Sequence, residues 1–229
     1  PRGQLLILGE PVENNTLRVV TSGIEDADGI DAATVAVQWL RDGVEIAGAN
    51  GVEHVLTQLD VGATLGVTYS YTDIHGTPEE VGATLAGAVA NVNNSAQGVP
   101  VVRGNIEQGA MLSADLSGVH DLDGMVAGTG AVQWLRDGVE IDGATQTTYL
   151  LGQDDVGATL FLRYSFTDAF GVDEQVLSVG HGEIRNVNDA PQGVVQVSGD
   201  VSQGNLLSAV VAGISDADGI VDGTGALQW

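Results

Sequence analysis

The sequence contains no cysteine, few positive charges and few aromatic residues, and each shortage excludes a class of protein. Without cysteine the chain has no disulfides, no cysteine-ligated zinc or iron–sulfur centre and no thiol nucleophile. Only 7 Lys and Arg stand against 31 Asp and Glu, which gives a formal charge of −24. Nucleic-acid phosphates and anionic lipids repel such a chain, so neither is an expected partner. Cations are the expected ligands.

Long hydrophobic runs are also absent. No segment approaches the roughly 20 apolar residues that a transmembrane helix needs, so we expect no direct membrane insertion. The chain begins with Pro1-Arg2-Gly3-Gln4 rather than a Met or a signal peptide, and it stops within a strand-like pattern at Gln228-Trp229. We therefore expect it to be a fragment of a longer protein.

The sequence does contain a repeat of 95 residues. The string Gln-Trp-Leu-Arg-Asp-Gly-Val-Glu-Ile at 38–46 recurs unchanged at 133–141, and Gln-Trp returns at Gln228-Trp229. The same offset relates the Asp-x-Asp-Gly motifs at 26–29, 121–124 and 216–219. Solenoid repeats are shorter and cannot fold alone, whereas this spacing is the length of a domain. We predict domains at 1–95 and 96–190 and the start of a third at 191–229.

Each unit shows short apolar runs of period two, separated by Gly, Asn and Asp, with no helical pattern. In the second unit this pattern predicts seven strands, near 99–103, 111–119, 131–136, 139–141, 147–151, 158–167 and 174–185. Asp137-Gly138 predicts a two-residue hairpin turn, and Trp134 falls on the third strand, where an immunoglobulin-like domain buries its Trp. The predicted fold class is all-β, with tandem immunoglobulin-like antiparallel β-sandwiches of about seven strands.

The Asp-x-Asp-Gly motif lies between the second and third predicted strands. Two carboxylates two residues apart, followed by a Gly, can direct oxygens at Ca²⁺, which takes six to eight oxygen ligands. The alternative is that Asp and Gly only form a turn. In this sandwich the loop lies at the end where the chain enters the domain, together with the loop between the sixth and seventh strands. Linker residues should therefore lie beside both loops.

This placement predicts two sets of calcium ligands. The set for the second unit is Asn91, Asn93, Asn94, Asp121, Asp123 and Asp168. The set for the third unit is Asn186, Asn188, Asp189, Asp216 and Asp218, with Glu107, Asp154 and Asp155 as further candidates from the preceding domain. Glu13 and Asp60 are their predicted counterparts at the earlier junction. Asp26 and Asp28 carry the motif without a preceding linker, so we expect their site to be incomplete.

Several of these residues have a second interpretation. Asp60 and Asp155 occur in Asp-Val-Gly, where a structural turn is favoured over coordination, and Asp73 and Asp168 fit hairpin chemistry and coordination equally. No His recurs at the 95-residue offset, as a catalytic or zinc site built into the repeat would require. We therefore expect the protein not to be an enzyme.

The linker Asn186-Val187-Asn188-Asp189-Ala190-Pro191, combined with Asp216-Ala217-Asp218, resembles the interdomain calcium motif of cadherins and of cadherin-like bacterial repeats. With the Gln-Trp-Leu-Arg-Asp-Gly and Asp-Val-Gly-Ala-Thr-Leu strings, the whole chain resembles tandem immunoglobulin-like extender repeats of large repeats-in-toxin adhesins. The resemblance implies an extracellular bacterial surface protein, exported by type I secretion. Its partners would be calcium ions and neighbouring repeats, and its stacked domains would project an adhesive tip.

The alternative function is a module that binds a carbohydrate or another surface ligand. Such sites usually expose aromatic rings, whereas aromatics are only 4% here and the three Trp fit a core pattern. The spacer interpretation is therefore favoured.

Two departures from the repeat pattern carry their own predictions. The first linker reads Asn93-Asn94-Ser95-Ala96 where the second reads Asn188-Asp189-Ala190-Pro191, and the loss of a carboxylate and a Pro predicts a weaker or more mobile first junction. The third unit has only its first three predicted strands. In isolation we expect it to be disordered, to aggregate or to borrow strands.

Overall fold

A computed structural model describes residues 1–229 and contains antiparallel sheets, two short 3-10 turns and no α-helix. The chain forms two compact units, Pro1–Ser95 and Ala96–Trp229. Each 3-10 turn has three residues, and no helical segment has the length and apolar content needed to cross a bilayer. The predicted all-β class is confirmed.

The first unit is a sandwich of seven strands in two sheets. Its strands are β1 (Leu6–Leu8), β2 (Thr16–Val20), β3 (Ala36–Arg41), β4 (Val44–Glu45), β5 (Glu53–Val55), β6 (Leu65–Thr72) and β7 (Pro78–Thr84). One sheet has the order β1-β2-β5 and the other has the order β4-β3-β6-β7. This division of strands is that of an immunoglobulin-like domain, as predicted.

The second repeat has the same arrangement. Its strands are β8 (Val101–Arg103), β9 (Met111–Asp115), β10 (Ala131–Arg136), β11 (Val139–Glu140), β12 (Thr148–Leu150), β13 (Leu160–Thr167) and β14 (Asp173–Leu177). All seven predicted strands are present, but β14 ends well before the predicted residue 185. The Ser178 hydroxyl accepts the Leu162 N–H at 2.9 Å, so a side chain takes the place of a backbone acceptor where the ladder ends.

Alternation along the strands builds a core around one Trp in each repeat. Trp39 and Trp134 are fully buried, and their indole N–H groups donate to Gly51 O at 2.9 Å and to Gln146 O at 2.8 Å. A buried Trp keeps its large apolar surface in the core when its polar N–H finds such an acceptor. These two positions confirm the core prediction.

The repeated Asp-Gly pair forms the predicted hairpin turn. Both central residues have positive φ, 50° and 80° at Asp42-Gly43 and 48° and 83° at Asp137-Gly138. Asp tolerates this region better than most residues and Gly adopts it freely, so the pair matches the twist of the flanking strands. The turn fixes the β3–β4 and β10–β11 registers.

Residues 191–229 contain two further strands, β15 (Gln196–Ser198) and β16 (Ser208–Val210), which pair with each other. The third strand predicted at Gln228-Trp229 is not formed, and Trp229 is 75% exposed. In the second repeat the equivalent strand β10 lies between β11 and β13, and residues 191–229 contain no counterparts of those two strands. The Trp equivalent to Trp39 and Trp134 therefore has no neighbouring strands within 191–229 that could bury it.

Candidate cation site at the linker end of the repeats

The chain that enters each repeat is held against the acidic loop. Gln97 N–H donates to His120 O at 2.7 Å and His120 N–H donates back to Gln97 O at 3.0 Å. The equivalent reciprocal pairs are Arg2 with Glu25 and Gln192 with Ser215. Because His120 directly precedes Asp121, this bridge fixes the entering chain beside the Asp-x-Asp-Gly motif.

The motif itself forms the same turn in all three copies. In the second repeat Asp121 Oδ1 accepts the Asp123 N–H at 2.7 Å, and Gly124 follows with a φ of 82°. The corresponding distance is 2.9 Å in both other copies. The turn occupies one oxygen of the first Asp and leaves the second oxygen for another partner. Turn formation and cation binding are thus compatible.

Four carboxylates of the second repeat form what we call the second entry cluster: Asp121, Asp123, Asp168 and Glu174. Asp168 is fully buried and Asp123 is 4% exposed, and Glu174 Oε2 accepts the Ala96 N–H at 2.6 Å. Burial raises the pKa of Asp121, and the negative charges of Glu174, Asp123 and Asp168 raise it further. The cluster therefore concentrates negative charge where water is scarce.

Two oxygens of this cluster have no hydrogen-bond partner. Asp168 Oδ1 accepts the N–H groups of Phe170 and Val172 at 2.9 and 2.7 Å, but Asp168 Oδ2 is buried with no partner, and so is Asp121 Oδ2. A buried carboxylate oxygen without a donor carries a desolvation cost that nothing offsets. Asn91 Oδ1, on the linker that precedes this repeat, is likewise buried without a partner. Three predicted ligands therefore retain an unmet oxygen.

The first repeat has an equivalent cluster, Asp26, Asp28, Asp73 and Glu79, which we call the first entry cluster. Here Asp26 Oδ2 accepts the Tyr71 hydroxyl at 2.7 Å and lies 3.1 Å from the Pro1 ammonium. The Tyr71 hydrogen bond, the Asp28 N–H and the Pro1 ammonium together lower the pKa of Asp26 to about 2. No carboxylate of this cluster has a buried oxygen without a partner.

The second linker is joined to both domains that flank it. Asp189 N–H donates to Asp218 Oδ2 at 2.7 Å, and Asp189 Oδ2 accepts from the Gln108 side chain at 2.6 Å. Asp189 thus connects the acidic loop of the third repeat to a loop of the second repeat. The other predicted linker ligands Asn93, Asn186 and Asn188 are exposed.

At the end of the first repeat an amide–carboxylate contact like that of Gln108 with Asp189 occurs, but the linker carries the amide and the domain carries the carboxylate. Glu13 is 4% exposed, and its carboxylate accepts the Asn94 side-chain amide at 3.2 Å. By the 95-residue offset Glu13 corresponds to Gln108 and Asn94 corresponds to Asp189, so the amide and the carboxylate have exchanged sides. Glu13 thus supplies a carboxylate in contact with the first linker, and the weaker or more mobile first junction stays a prediction.

The same alignment corrects the predicted pairing of Glu13 with Glu107. Glu107 aligns with an apolar residue of the first repeat, Val12, and its carboxylate forms a 2.8 Å ion pair with Arg185. Glu107 is 46% exposed in that pair. Its carboxylate is therefore engaged on the protein surface, away from the linker contact that Glu13 and Gln108 make.

Asp155 is held entirely by the protein. Its Oδ1 accepts Arg136 Nε at 2.8 Å, its Oδ2 accepts the Gly152 N–H at 2.8 Å, and the Tyr149 hydroxyl lies 3.2 and 3.1 Å from the two oxygens. Both oxygens of Asp155 are thus committed, which fits the structural interpretation of Asp-Val-Gly. Asp154, beside it, is exposed.

Asp60 makes the equivalent contacts in the first repeat. Burial alone would raise its pKa, but hydrogen bonds from Thr57 and Arg41 outweigh burial and hold the pKa below its usual value. An ionised, fully hydrogen-bonded carboxylate in this position supports the fold. We therefore leave Asp60 and Asp155 out of the candidate cation sites.

Glu174 is a member of the second entry cluster that the sequence prediction missed. It lies opposite Phe166 in the β13–β14 register, just as Glu79 lies opposite Tyr71 in β6–β7. The signal was available, because the 95-residue offset relates Glu79 to Glu174.

No group of three or more His, Asp or Glu side chains is arranged as a ready-made metal cluster.

Comparisons with known proteins found no matching family model and no match among curated proteins. Among solved structures the chain is similar to one of a 1.5-MDa bacterial ice-binding adhesin, described in connection with its retention at the host cell surface. The identity is 14%, the TM-score is 0.30, and the match covers 88% of this chain and 71% of the adhesin chain.

A second similar structure is the Bacteroides ovatus protein SGBP-B, from a mixed-linkage glucan utilization locus, in complex with a heptasaccharide. Here the identity is 13%, the TM-score is 0.20, and the match covers 77% of this chain and 40% of the other. At these TM-scores neither similarity supports an inference. The geometry of the chain itself shows immunoglobulin-like sandwiches with an acidic cluster where the linker enters.

Proposed function

We propose that this chain is a spacer region of an extracellular bacterial surface adhesin, in which Ca²⁺ at the junctions between repeats holds consecutive domains in a stiff rod. The observation that carries the proposal is the pair of buried oxygens without partners, Asp121 Oδ2 and Asp168 Oδ2, in a cluster of carboxylates beside the entering linker. Tandem domains without insertions between them suit a protein whose function is to extend from a surface.

The donor chemistry of the second entry cluster fits calcium. Ca²⁺ is a hard cation that binds carboxylate, amide and backbone carbonyl oxygens together with water. Asp121, Asp123, Asp168 and Glu174 would supply carboxylates, and linker asparagines and backbone carbonyls would supply neutral oxygens. No group of three or more acidic or His side chains is placed to hold a metal ion by itself, so the proposal requires these neutral oxygens. At the third repeat Asp189, Asp216 and Asp218 would hold the ion.

The mechanism follows from charge. In an effective dielectric of about 20, two unit charges 4 Å apart repel by about 4 kcal/mol, so the clustered carboxylates destabilise the loops that carry them. A divalent cation would reverse the sign of that interaction and, through linker oxygens, would tie the linker to the same loops. Binding would therefore couple the linker to the repeat that follows it, and a stiffer junction is the expected result.

Calorimetric titration of the chain with Ca²⁺ tests the proposal, with Mg²⁺ as a comparison because Mg²⁺ demands a smaller, more regular site. We expect saturable calcium binding and a rise in melting temperature, since a ligand that binds only the folded state stabilises it. The double variant D121N/D168N should lose both effects at the second entry cluster.

The matched control is D142N, which removes one negative charge from an exposed position that is not among the candidate ligands. It should bind calcium as the parent does. If the parent gives no binding heat and no shift in melting temperature, or if D142N weakens binding as much as D121N/D168N does, calcium coordination at the cluster is refuted.

A further inference from the structure

The two entry clusters differ at two positions that supply hydroxyl groups. Tyr71 in the first repeat is replaced by Phe166 in the second, and Thr77 is replaced by Val172. The surrounding backbone is equivalent: Tyr71 and Phe166 lie opposite Glu79 and Glu174 in the same strand register. The turns match as well, because Asp73 N–H and Asp168 N–H each donate to the carbonyl of residue 77 or 172, at 2.9 and 2.8 Å. The exchange is therefore a change of side chains on one scaffold.

The hydroxyls missing from the second repeat are those that neighbour two carboxylates of the first. Tyr71 donates to Asp26 Oδ2 at 2.7 Å, and Thr77 lies beside Asp73, whose Oδ1 accepts the Thr77 N–H at 2.8 Å and whose pKa the Thr77 side chain helps to lower. In the second repeat the residues equivalent to Asp26 and Asp73 are Asp121 and Asp168, and their Oδ2 atoms are the ones buried without a partner. Phe166 is 3% exposed, so water does not readily reach this region from the side of that ring.

We propose that this hydroxyl exchange sets which entry cluster takes a cation: Tyr71 and Thr77 satisfy the first cluster internally, whereas Phe166 and Val172 leave the second cluster dependent on bound Ca²⁺. This inference rests on the proposed function, because it assumes that calcium is the ion bound. It adds that the repeats are not equivalent sites, although their Asp-x-Asp-Gly loops have the same turn.

The physical basis is competition for the same lone pairs. A carboxylate oxygen that accepts a short hydrogen bond from a hydroxyl must lose that bond before it can coordinate a cation, whereas an oxygen without a donor gives up nothing. Burial makes the difference larger, because water cannot substitute for the missing donor. Adding the hydroxyls to the second cluster should thus weaken calcium binding, and removing them from the first should strengthen it.

Residue-resolved NMR on the full chain tests the proposal, because the amides of Gly29 and Gly124 report the two clusters separately in one sample. In the parent, Ca²⁺ should shift Gly124 at a concentration at least tenfold lower than Gly29. In F166Y/V172T the Gly124 midpoint should rise about tenfold, which corresponds to about 1.4 kcal/mol. The same variant should melt at a higher temperature than the parent in excess chelator, because the hydroxyls now satisfy the two oxygens.

The control is F161Y, which adds the same hydroxyl at a partly exposed position on the same strand, and which should leave the Gly124 midpoint unchanged. The reciprocal variant Y71F/T77V should lower the Gly29 midpoint, because Asp26 Oδ2 loses the Tyr71 donor. Since Y71F/T77V also removes stabilising hydrogen bonds, its fold is checked by the remaining amide spectrum of the first unit.

The outcomes separate this inference from the proposed function. If Gly29 and Gly124 titrate together in the parent, or if F166Y/V172T binds calcium as the parent does, the hydroxyl exchange does not select the site, yet calcium binding itself stands. If no amide near either cluster responds to Ca²⁺, both the inference and the calcium role are refuted.

Discussion

The loss of stability on substitution can be predicted for Asp155, the buried carboxylate that pairs with Arg136 in the second repeat. Asp155→Asn removes the negative charge that faces Arg136 and places an amide N–H where the carboxylate accepted hydrogen bonds. Asp155 is fully buried, and its donors include the Tyr149 hydroxyl and the Gly152 N–H. Arg136 is 31% exposed and can be hydrated, so the loss combines a partly exposed ion pair with the hydrogen bonds to a buried carboxylate, and together they cost about 3–5 kcal/mol. We expect the second repeat to lose stability by that amount.

Urea titration followed by the indole N–H resonances measures this loss in one repeat at a time, since Trp134 reports the second repeat and Trp39 the first. With a slope of about 2 kcal/mol per M of urea, the Trp134 midpoint should fall by about 1.5–2.5 M. The Trp39 midpoint should stay where it is and serves as an internal reference.

Glu140→Gln is the matched control for the loss of a carboxylate. It breaks the 2.7 Å ion pair between Glu140 and Arg163, in which both side chains are substantially exposed, and exposed pairs contribute at most about 1 kcal/mol. If Asp155→Asn shifts the Trp134 midpoint no more than Glu140→Gln does, Asp155 does not stabilise the fold, and its removal from the candidate cation site is unjustified.

Two further predictions concern the backbone and the linker. Gly98→Ala places a Cβ 1.9 Å from Gly118 O at a φ of +77°, whereas the Cβ of Gly143→Ala meets no atom within 4 Å at a φ of +70°. Circular-dichroism melts should show a clear loss of stability for Gly98→Ala and a loss of only about 1–2 kcal/mol for Gly143→Ala. Equal losses would contradict the close approach of Gly98 to Gly118. Glu13→Gln and Asn94→Asp should each destabilise the first unit. The double variant recreates the Gln–Asp pair of the second repeat, and a double-mutant cycle in urea should show a recovery of about 0.5–3 kcal/mol relative to the sum of the single effects. Simple additivity would refute the coupling.

The fold was largely predictable because its signals are local and repeated. Alternating apolar residues located the seven strands of the second repeat, and Asp137-Gly138 specified its hairpin by the positive φ that the turn requires. The early end of β14 was not predicted. Where the ladder ends, the Ser178 hydroxyl accepts the Leu162 N–H, a tertiary contact that a strand pattern does not encode.

The candidate site was predictable in its loops but not in its partners. The Asp-x-Asp-Gly spacing located the acidic turns, because that chemistry lies within four residues. The contacts Glu13–Asn94 and Gln108–Asp189 each join residues 81 positions apart, so a comparison of the linkers alone does not show that the carboxylate and the amide have exchanged sides. Only the packing identified which carboxylates already had hydrogen-bond donors. Both oxygens of Asp155 have donors, whereas Asp121 Oδ2 has none.

Small-angle X-ray scattering of the chain, in excess Ca²⁺ and then in excess chelator, tests the central claim that a cation at the entry cluster stiffens the junction. Calcium should lengthen the largest dimension and narrow the distribution of interatomic distances, and D121N/D168N should lose the part of this change that comes from the second entry cluster. If the parent scatters identically in both conditions while calorimetry detects bound calcium, the ion does not stiffen the rod and the spacer mechanism is contradicted.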